Sequence, residues 1–500
     1  MSATTHVNSP HECYPESLVV VSFGPGDPEN PINLSKKKKL FVAGTVCLAM
    51  LNSNLSSSLP GGALPAVAEY FQVTDPVAYV LPSTLFLIGY IVGPLVLAPL
   101  SEHFGRKPIL VCSFTVYLTF TIGCAFAPTF SALVAFRLFA GIGSATPISV
   151  IGGVYADIFS DQKTRGQATA AYTVVLGPTV FGFVAIAGWR WCFHVSAIIA
   201  TVSMVPLVLI PETYGPSLLV ARARNLRCSS PTCRAATAPL ESGNRSLYSI
   251  LLVAISRPLC MLFCEPIVTF SSIYVSFVFA CLFFFFSAYP VIFHGVYGMS
   301  HSVAGLAFIP MALGVACSMG IFICYDRLFQ NAIEQGCEWV RREGLRRLPL
   351  ACMGGPLLSA SIFWLGWTAS PDIHWSVSML SGLPFALGMM MIFVAFFNYL
   401  TDTYDVYSAS ALAAASCCRS LWAAFLPMAA TPMYRVLGIA WGSSLVGLFS
   451  LCLIPVPFVF IRSSERLRKH SEFSHELNGK GEGCPGPVPQ QSHQQPGMCH

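Results

Sequence analysis

Residues Gly93-Pro-Leu-Val-Leu-Ala-Pro-Leu-Ser-Glu-His-Phe-Gly-Arg-Lys107 decide how the rest of the chain reads. An unbroken apolar run from about Tyr79 to Leu100 leads into them, and a second, from Ile109 to about Ala127, follows at once. A helix needs about 20 residues to cross a hydrocarbon core of about 30 Å, so each run is long enough to span a bilayer. Joined so briefly, the two spans must enter and leave on the same side. Gly105 lets the joint take a backbone conformation closed to residues with a Cβ. Arg106 and Lys107 mark that side as cytoplasmic by the positive-inside bias.

Of the 500 residues, 54% are hydrophobic and only 10% charged, against roughly a quarter charged in soluble proteins. The lipid bilayer is the environment that accepts so much apolar surface. The net charge is +5, and the basic residues sit in short loops, which argues against a nucleic-acid partner. Most of the 19 cysteines fall inside apolar segments, among them Cys47, Cys124, Cys281 and Cys417, and read as small packing residues. Cys228 and Cys233 lack a second pair for zinc, so no metal or cofactor is expected.

Working outward, residues 1–39 read as a disordered cytoplasmic tail, with Lys36–Lys39 just before the first apolar segment, Leu40–Leu59. Further spans are expected near 132–156, 168–187 and 193–210, closing an N-terminal half over 40–211. A basic cytoplasmic loop, 212–266, follows. Six more spans, near 268–289, 303–324, 349–368, 375–400, 408–430 and 441–461, make a C-terminal half over 267–462. Residues 463–500 begin basic, end in Gly, Pro, Gln and His, and read as a disordered cytoplasmic tail. Basic residues crowd the tails and alternate loops, while the opposite loops hold only Arg190 and Arg435, so both termini are placed in the cytoplasm. The expectation is an all-α polytopic membrane protein of twelve transmembrane helices, in two six-helix halves. Tyr325-Asp326-Arg327 partly echoes the first loop at the equivalent place in the second half, a sign of duplication.

Four stretches carry a family resemblance: Ala98-Pro-Leu-Ser-Glu-His-Phe-Gly-Arg-Lys107, Arg137-Leu-Phe-Ala-Gly-Ile-Gly-Ser144, Gly188-Trp-Arg-Trp191 and Pro211-Glu-Thr-Tyr214. Glu265-Pro266, Asn398-Tyr-Leu-Thr-Asp402 and Arg419-Ser-Leu421 match more weakly. With them the chain resembles the major facilitator superfamily, in its fungal twelve-span drug:proton antiporter branch. The resemblance implies a monomeric plasma-membrane carrier that exports a small-molecule substrate in exchange for protons, without being an enzyme.

It also implies roles for residues. Glu102, Gly105, Arg106 and Lys107, with Asp157 and Arg165, form a latch that opens as the halves rock. Arg137, a charge in an apolar helix, must meet a polar group, because an unpaired charge there costs at least about 2.5 kcal/mol; the family links the matching arginine to proton coupling. The competing reading has it snorkel to the outer surface. Gly177, Pro178 and Gly182 stand for the helix-five motif, although Gly166–Gly188 is shorter than the family pattern. Candidates for the substrate cavity are Asn52, Ser56, Ser57, Ser58, Phe284, Tyr289 and Asn398. Aromatic rings with few fixed polar groups suit flat, apolar or cationic compounds.

Two features count against the full antiporter reading. The predicted spans contain no Asp or Glu; Glu102, Asp157, Glu265 and Asp402 lie at their cytoplasmic ends. Proton-coupled carriers commonly use a buried carboxylate. An uncoupled facilitator, an uptake carrier and a transport-inactive relative with a shortened fifth span therefore stay open. No phosphate-binding glycine loop is present for an ATP-driven pump.

Overall fold

The computed structural model describes residues 5–7, 19–24, 26–58, 64–159, 188–229, 236–242, 247–336, 347–404 and 408–469. In chain order the α-helices of eight residues or more are α1 (Lys36–Ser58), α2 (Leu64–Phe71), α3 (Pro76–Phe104), α4 (Arg106–Ala125), α5 (Phe130–Ser144), α6 (Thr146–Ile158) and α7 (Arg190–Leu209). There follow α8 (Gly215–Ser229), α9 (Leu247–Cys264), α10 (Pro266–Tyr289), α11 (Ile309–Glu334), α12 (Pro349–Thr368) and α13 (Gly382–Tyr404). The last two are α14 (Ser408–Leu453) and α15 (Pro455–Lys469).

Eleven segments among the described residues are long and apolar enough to cross a membrane, and they fall on eleven of the twelve expected spans. The chain is thus an all-α polytopic membrane protein. The expected fifth span at 168–187, with Gly177, Pro178 and Gly182, lies outside the described residues, as does Arg165.

Local chemistry sets the breaks. The fourth span is two helices, α5 and α6, parted where Pro147 opens the first turn of the second, the one turn that tolerates a missing N–H. Spans eleven and twelve are continuous in α14 except at Gly438, whose φ of 75° and ψ of 171° turn the chain back. Helix α10 runs on past Pro290 as a wider π-helical turn to Val296.

Burial is inverted outside the core, as lipid requires. Phe263, Val436 and Leu209 stand outward, while hydroxyls and charges turn inward. The first half packs around Phe86, Tyr90, Phe114, Tyr117 and Tyr155. The larger core of the second half holds Tyr274, Phe284, Phe285, Tyr289, Phe385 and Phe396. Small residues let helices touch through their backbones. A Cβ on Gly89 of α3 would sit 2.6 Å from Leu138 O of α5, and one on Gly143 would sit 2.6 Å from Tyr117 N of α4. The halves meet where α3 lies along α14. There Thr84 Oγ1 donates to Ala424 O at 3.4 Å, and Leu87 packs with Phe283, Ala423 and Ala424.

The polar segments carry more structure than composition predicts. Residues 1–39 read as disordered, yet β2 (Val19–Val21) pairs in parallel with β1 (Thr5–Val7) and with β3 (Ala236–Thr237) of the central loop. Val21 buries itself with Ala223 of α8 and Ala238, and Arg222 Nη1 donates to Asp27 Oδ2 at 2.5 Å. The apolar triplet Val19–Val21 supplies the reason, because a short strand needs only a partner edge and a small apolar seat. The loop at 212–266 itself holds α8, a short turn of helix at Pro239–Ser242, and α9.

Candidate functional site

The first cluster lies where Gly105 joins α3 to α4. Helix α4 begins with N–H groups that no residue of its own can satisfy. Glu212, just past α7, fills that place: Oε1 accepts from Arg106 N at 2.9 Å and Oε2 from Lys107 N at 3.2 Å. Oε1 also accepts from the backbone of Thr213 and Tyr214. A carboxylate is favoured here by the positive end of the helix dipole. Gly105 has φ of 103°, and a Cβ on it would lie 2.5 Å from Glu212 Oε2. Both its conformation and its bareness are needed.

The Arg106 side chain then turns back into the first half. Nε donates to Asp157 Oδ2 at 3.3 Å and Nη1 to Ser101 Oγ at 2.8 Å, with Glu102 Oε1 farther off at 3.7 Å. The guanidinium sits 5.0 Å from the Tyr214 ring centroid, over Gly153, where a Cβ would come within 2.6 Å of Nη2. Burial, and then the charge of Glu102, raises the Tyr214 hydroxyl pKa. Glu102, Gly105, Arg106, Lys107 and Asp157 therefore converge, and among the described residues these partners of Arg106 belong to the first half and the start of the segment after it. The sequence reading quoted Glu212 within Pro211-Glu-Thr-Tyr214 but did not count it in the latch; its signal was an acid directly after a span, on the side of the basic loops.

Arg137 on α5 is 1% exposed, so it does not snorkel to the surface. Nε donates to Pro82 O of α3 at 3.0 Å and Nη1 to Ser56 O of α1 at 3.1 Å. Residue 60 is proline and has no N–H to offer the Ser56 carbonyl four residues back, so Arg137 donates where the helix cannot. Its guanidinium lies 4.0 Å from the Phe86 ring centroid, and Nη2 has no hydrogen-bond partner among the described residues.

The candidates on α1 separate by helical face. Asn52 Oδ1 accepts from Tyr117 OH at 2.8 Å while its Nδ2 finds no partner among the described residues. Between Asn52 and Ser56, Ser53 Oγ bonds Tyr90 OH and Ser144 O. Ser57 bonds back to Asn54 O in its own helix, and the Ser58 side chain lies outside what the structure describes. In the second half Phe284 packs on Tyr434 and Tyr289 on Phe293 and Phe308, inside that half's core. The rings of the run that meet the first half are Phe283 and Phe286, beside Leu87. Asn398 is half-buried on α13.

Two groups outside the candidate set complete the picture. Glu265, 1% exposed before α10, accepts from Tyr404 OH at 3.1 Å. Arg419, near the middle of the eleventh span, sits 4.5 Å from the Phe279 centroid and 5.9 Å from that of Phe393. A lone arginine in an apolar run was the available signal for it, the same one that marked Arg137.

With this geometry in hand, the comparisons place the chain. The family model of the Major Facilitator Superfamily matches residues 46–427. The MFS-type efflux pump MFS2 of Trichophyton rubrum is 35% identical over 92% of this chain and 78% of its own length. The Major facilitator superfamily multidrug transporter mdrA of Aspergillus fumigatus is 33% identical over 90% of this chain and 74% of its own. In fold, a partially occluded inward-open structure of the xylose transporter XylE from E. coli superposes with a TM-score of 0.61 at 16% identity, over 85% of this chain and 98% of that one. The chain belongs to the major facilitator superfamily, as a multi-pass membrane transporter rather than an enzyme.

Proposed function

We propose that the protein is a secondary transporter that exports small amphiphilic compounds, such as drugs, toxins or secondary metabolites, by alternating access and proton antiport. The observation that carries this reading is the seam between α3 and α14. Hydroxyl-bearing and charged side chains, Thr84 from one half and Arg419 from the other, are held there within an otherwise apolar bundle: Thr84 bonds Ala424 O, and Arg419 lies over Phe279, which packs beside Leu87. Polar groups inside a membrane are costly and mark pathways, and a site between two repeats is what alternating access uses. The relatives named as efflux pumps support the direction. In this reading both termini face the cytoplasm of a plasma-membrane monomer, and the Arg106 cluster is the latch that reshapes as the halves rock. Arg137 is the candidate for coupling, since its contacts join three helices of the first half.

One observation favours a second reading, an uncoupled facilitator. Among the described membrane-spanning segments, carboxylates occur only toward the end that carries Arg106, leaving no mid-membrane acid to carry the proton. Efflux of a preloaded fluorescent dye from pump-deficient yeast, with surface expression confirmed, separates the two. Efflux abolished by a protonophore, and by Arg137→Ala, is the expected result. Efflux that survives the protonophore overturns proton coupling and leaves the facilitator.

A further inference from the structure

Arg419 poses a question the export reading leaves open, namely what charge the cargo carries. The rings around it, Phe279 and, farther out, Phe393 and Phe397 at 6.0 Å, are those a cationic drug would be expected to stack on. The face of Phe279 is already occupied by the protein's own cation. A second cation would have to displace or approach a guanidinium in a low-dielectric seam, where like charges repel strongly. Electrostatics at this point favour an anion.

The neighbouring face of α10 supplies the rest of an anion's needs. Ser272, Ser276, Phe279 and Phe283 recur at intervals of four, three and four residues and so share one side of the helix. Ser272 and Ser276 are 0% exposed, and their hydroxyls make no hydrogen bond among the described residues. Buried hydroxyls normally find partners, and helical serines usually bond back to a carbonyl one turn earlier; these two do neither. Two buried O–H donors, that of Ser276 facing the Cys418 thiol, and a guanidinium along one stripe, with Phe283 beyond, match a carboxylate with an aromatic or aliphatic body. Guanidinium and carboxylate are geometrically matched. Phe279, the ring under Arg419, packs beside Leu87 of the first half, which sets the place at the seam between halves.

We propose that Arg419, with Ser272 and Ser276, receives the carboxylate of an amphiphilic organic acid, so that the preferred substrates are anionic rather than cationic. The proposal rests on the export reading for its meaning as a substrate site, but its test needs no transport. Purified protein in nanodiscs would be titrated, without any gradient, with matched acid–amide pairs built on pyrene, naphthalene and fluorene butyric acids. At least one acid is expected to bind tenfold or more tightly than its amide. Arg419→Gln should bring each such pair to within threefold, with the affinity for the amide unchanged, which also reports that the variant is folded. The conservative Arg419→Lys should keep part of the preference, since it keeps the charge and loses the fork. A panel in which no acid outbinds its amide overturns the proposal, as does a preference that survives Arg419→Gln. Acid binding without energised efflux would sink the export reading alone, and efflux of the acids that ignores Arg419→Gln would sink this proposal alone.

Discussion

Arg347 Nε donates to Asp402 Oδ2 at 3.2 Å, repeating in the second half the bond that Arg106 Nε makes with Asp157 Oδ2 at 3.3 Å in the first. In each half the arginine stands at or just before the start of the third span, and the aspartate lies at the end of the fourth. The duplication visible in the span count thus extends to single atoms. It also relocates the echo. Tyr325-Asp326-Arg327 resembles the first loop in sequence, but the arginine that repeats the contact is Arg347, on the far side of the loop.

The two pairs are partly buried, with side-chain exposures of 10% and 20% in the first half and 17% and 24% in the second. They should therefore fall between exposed pairs, worth at most about 1 kcal/mol, and fully buried ones. Double-mutant cycles with Arg106→Ala and Asp157→Asn, and with Arg347→Ala and Asp402→Asn, should each give a coupling of about 0.5–3 kcal/mol. Thermal unfolding in detergent would measure it. Cycles that close to zero would show the pairs to be geometric accidents.

Gly105→Ala should be among the most damaging small substitutions in the chain. A non-glycine residue at φ of 103° costs about 1–3 kcal/mol in strain alone. The new methyl would also push Glu212 away from the first N–H groups of α4. Gly152→Ala is the control, since a Cβ there meets nothing within 4 Å. Gly105→Ala should lower the unfolding temperature and the surface expression while Gly152→Ala leaves both unchanged. Glu212→Gln should fall between, because it keeps the acceptor and loses the charge.

The span layout was legible because apolar run length and loop charge are properties of contiguous sequence. The Arg106 cluster was half legible: Gly105 and Arg106 lie in one recognisable motif and Glu212 in another, but neither motif shows that Glu212 acts on α4 from 106 residues away. Facing was the least legible feature. In Phe283–Phe286 four consecutive rings point around the helix, so sequence cannot say which meets the other half. Phe284 and Tyr289 belong to the second half's own core, and Phe283 belongs to the seam. Arg137 read as a charge in need of a partner, but its partners are carbonyls, which every residue carries and no sequence pattern marks.

Those carbonyls lead to a further expectation. Arg137 reaches Pro82 O and Ser56 O through two different nitrogens of one planar fork, a spread that the point-like ammonium of lysine does not reproduce. Arg137→Lys should lose nearly as much efflux as Arg137→Ala, by about tenfold or more, and both should unfold at lower temperature. A lysine variant with full efflux would show that charge alone is needed at this position and that the bridge between α1 and α3 is incidental.

The docked tail should come loose in acid. Burial alone would raise the pKa of the Asp27 carboxyl, but the Arg222 bond, two backbone N–H groups and the arginine's charge together hold it below its ordinary value. A carboxyl depressed in this way stabilises the docked form at every pH above the unbound value, about 3.9. That contribution falls away as pH drops through the lower, docked value. Near neutrality the tail should therefore be insensitive to pH and sensitive to the partner. Hydrogen exchange at pH 7 should show residues 19–34 protected in the wild type and exposed in Arg222→Ala and Asp27→Asn. Corrected for intrinsic rates, the wild-type protection should persist to about pH 4 and fall only below it. Loss of protection between pH 5 and 7 would mean that another group, and not Asp27, governs how the tail is held.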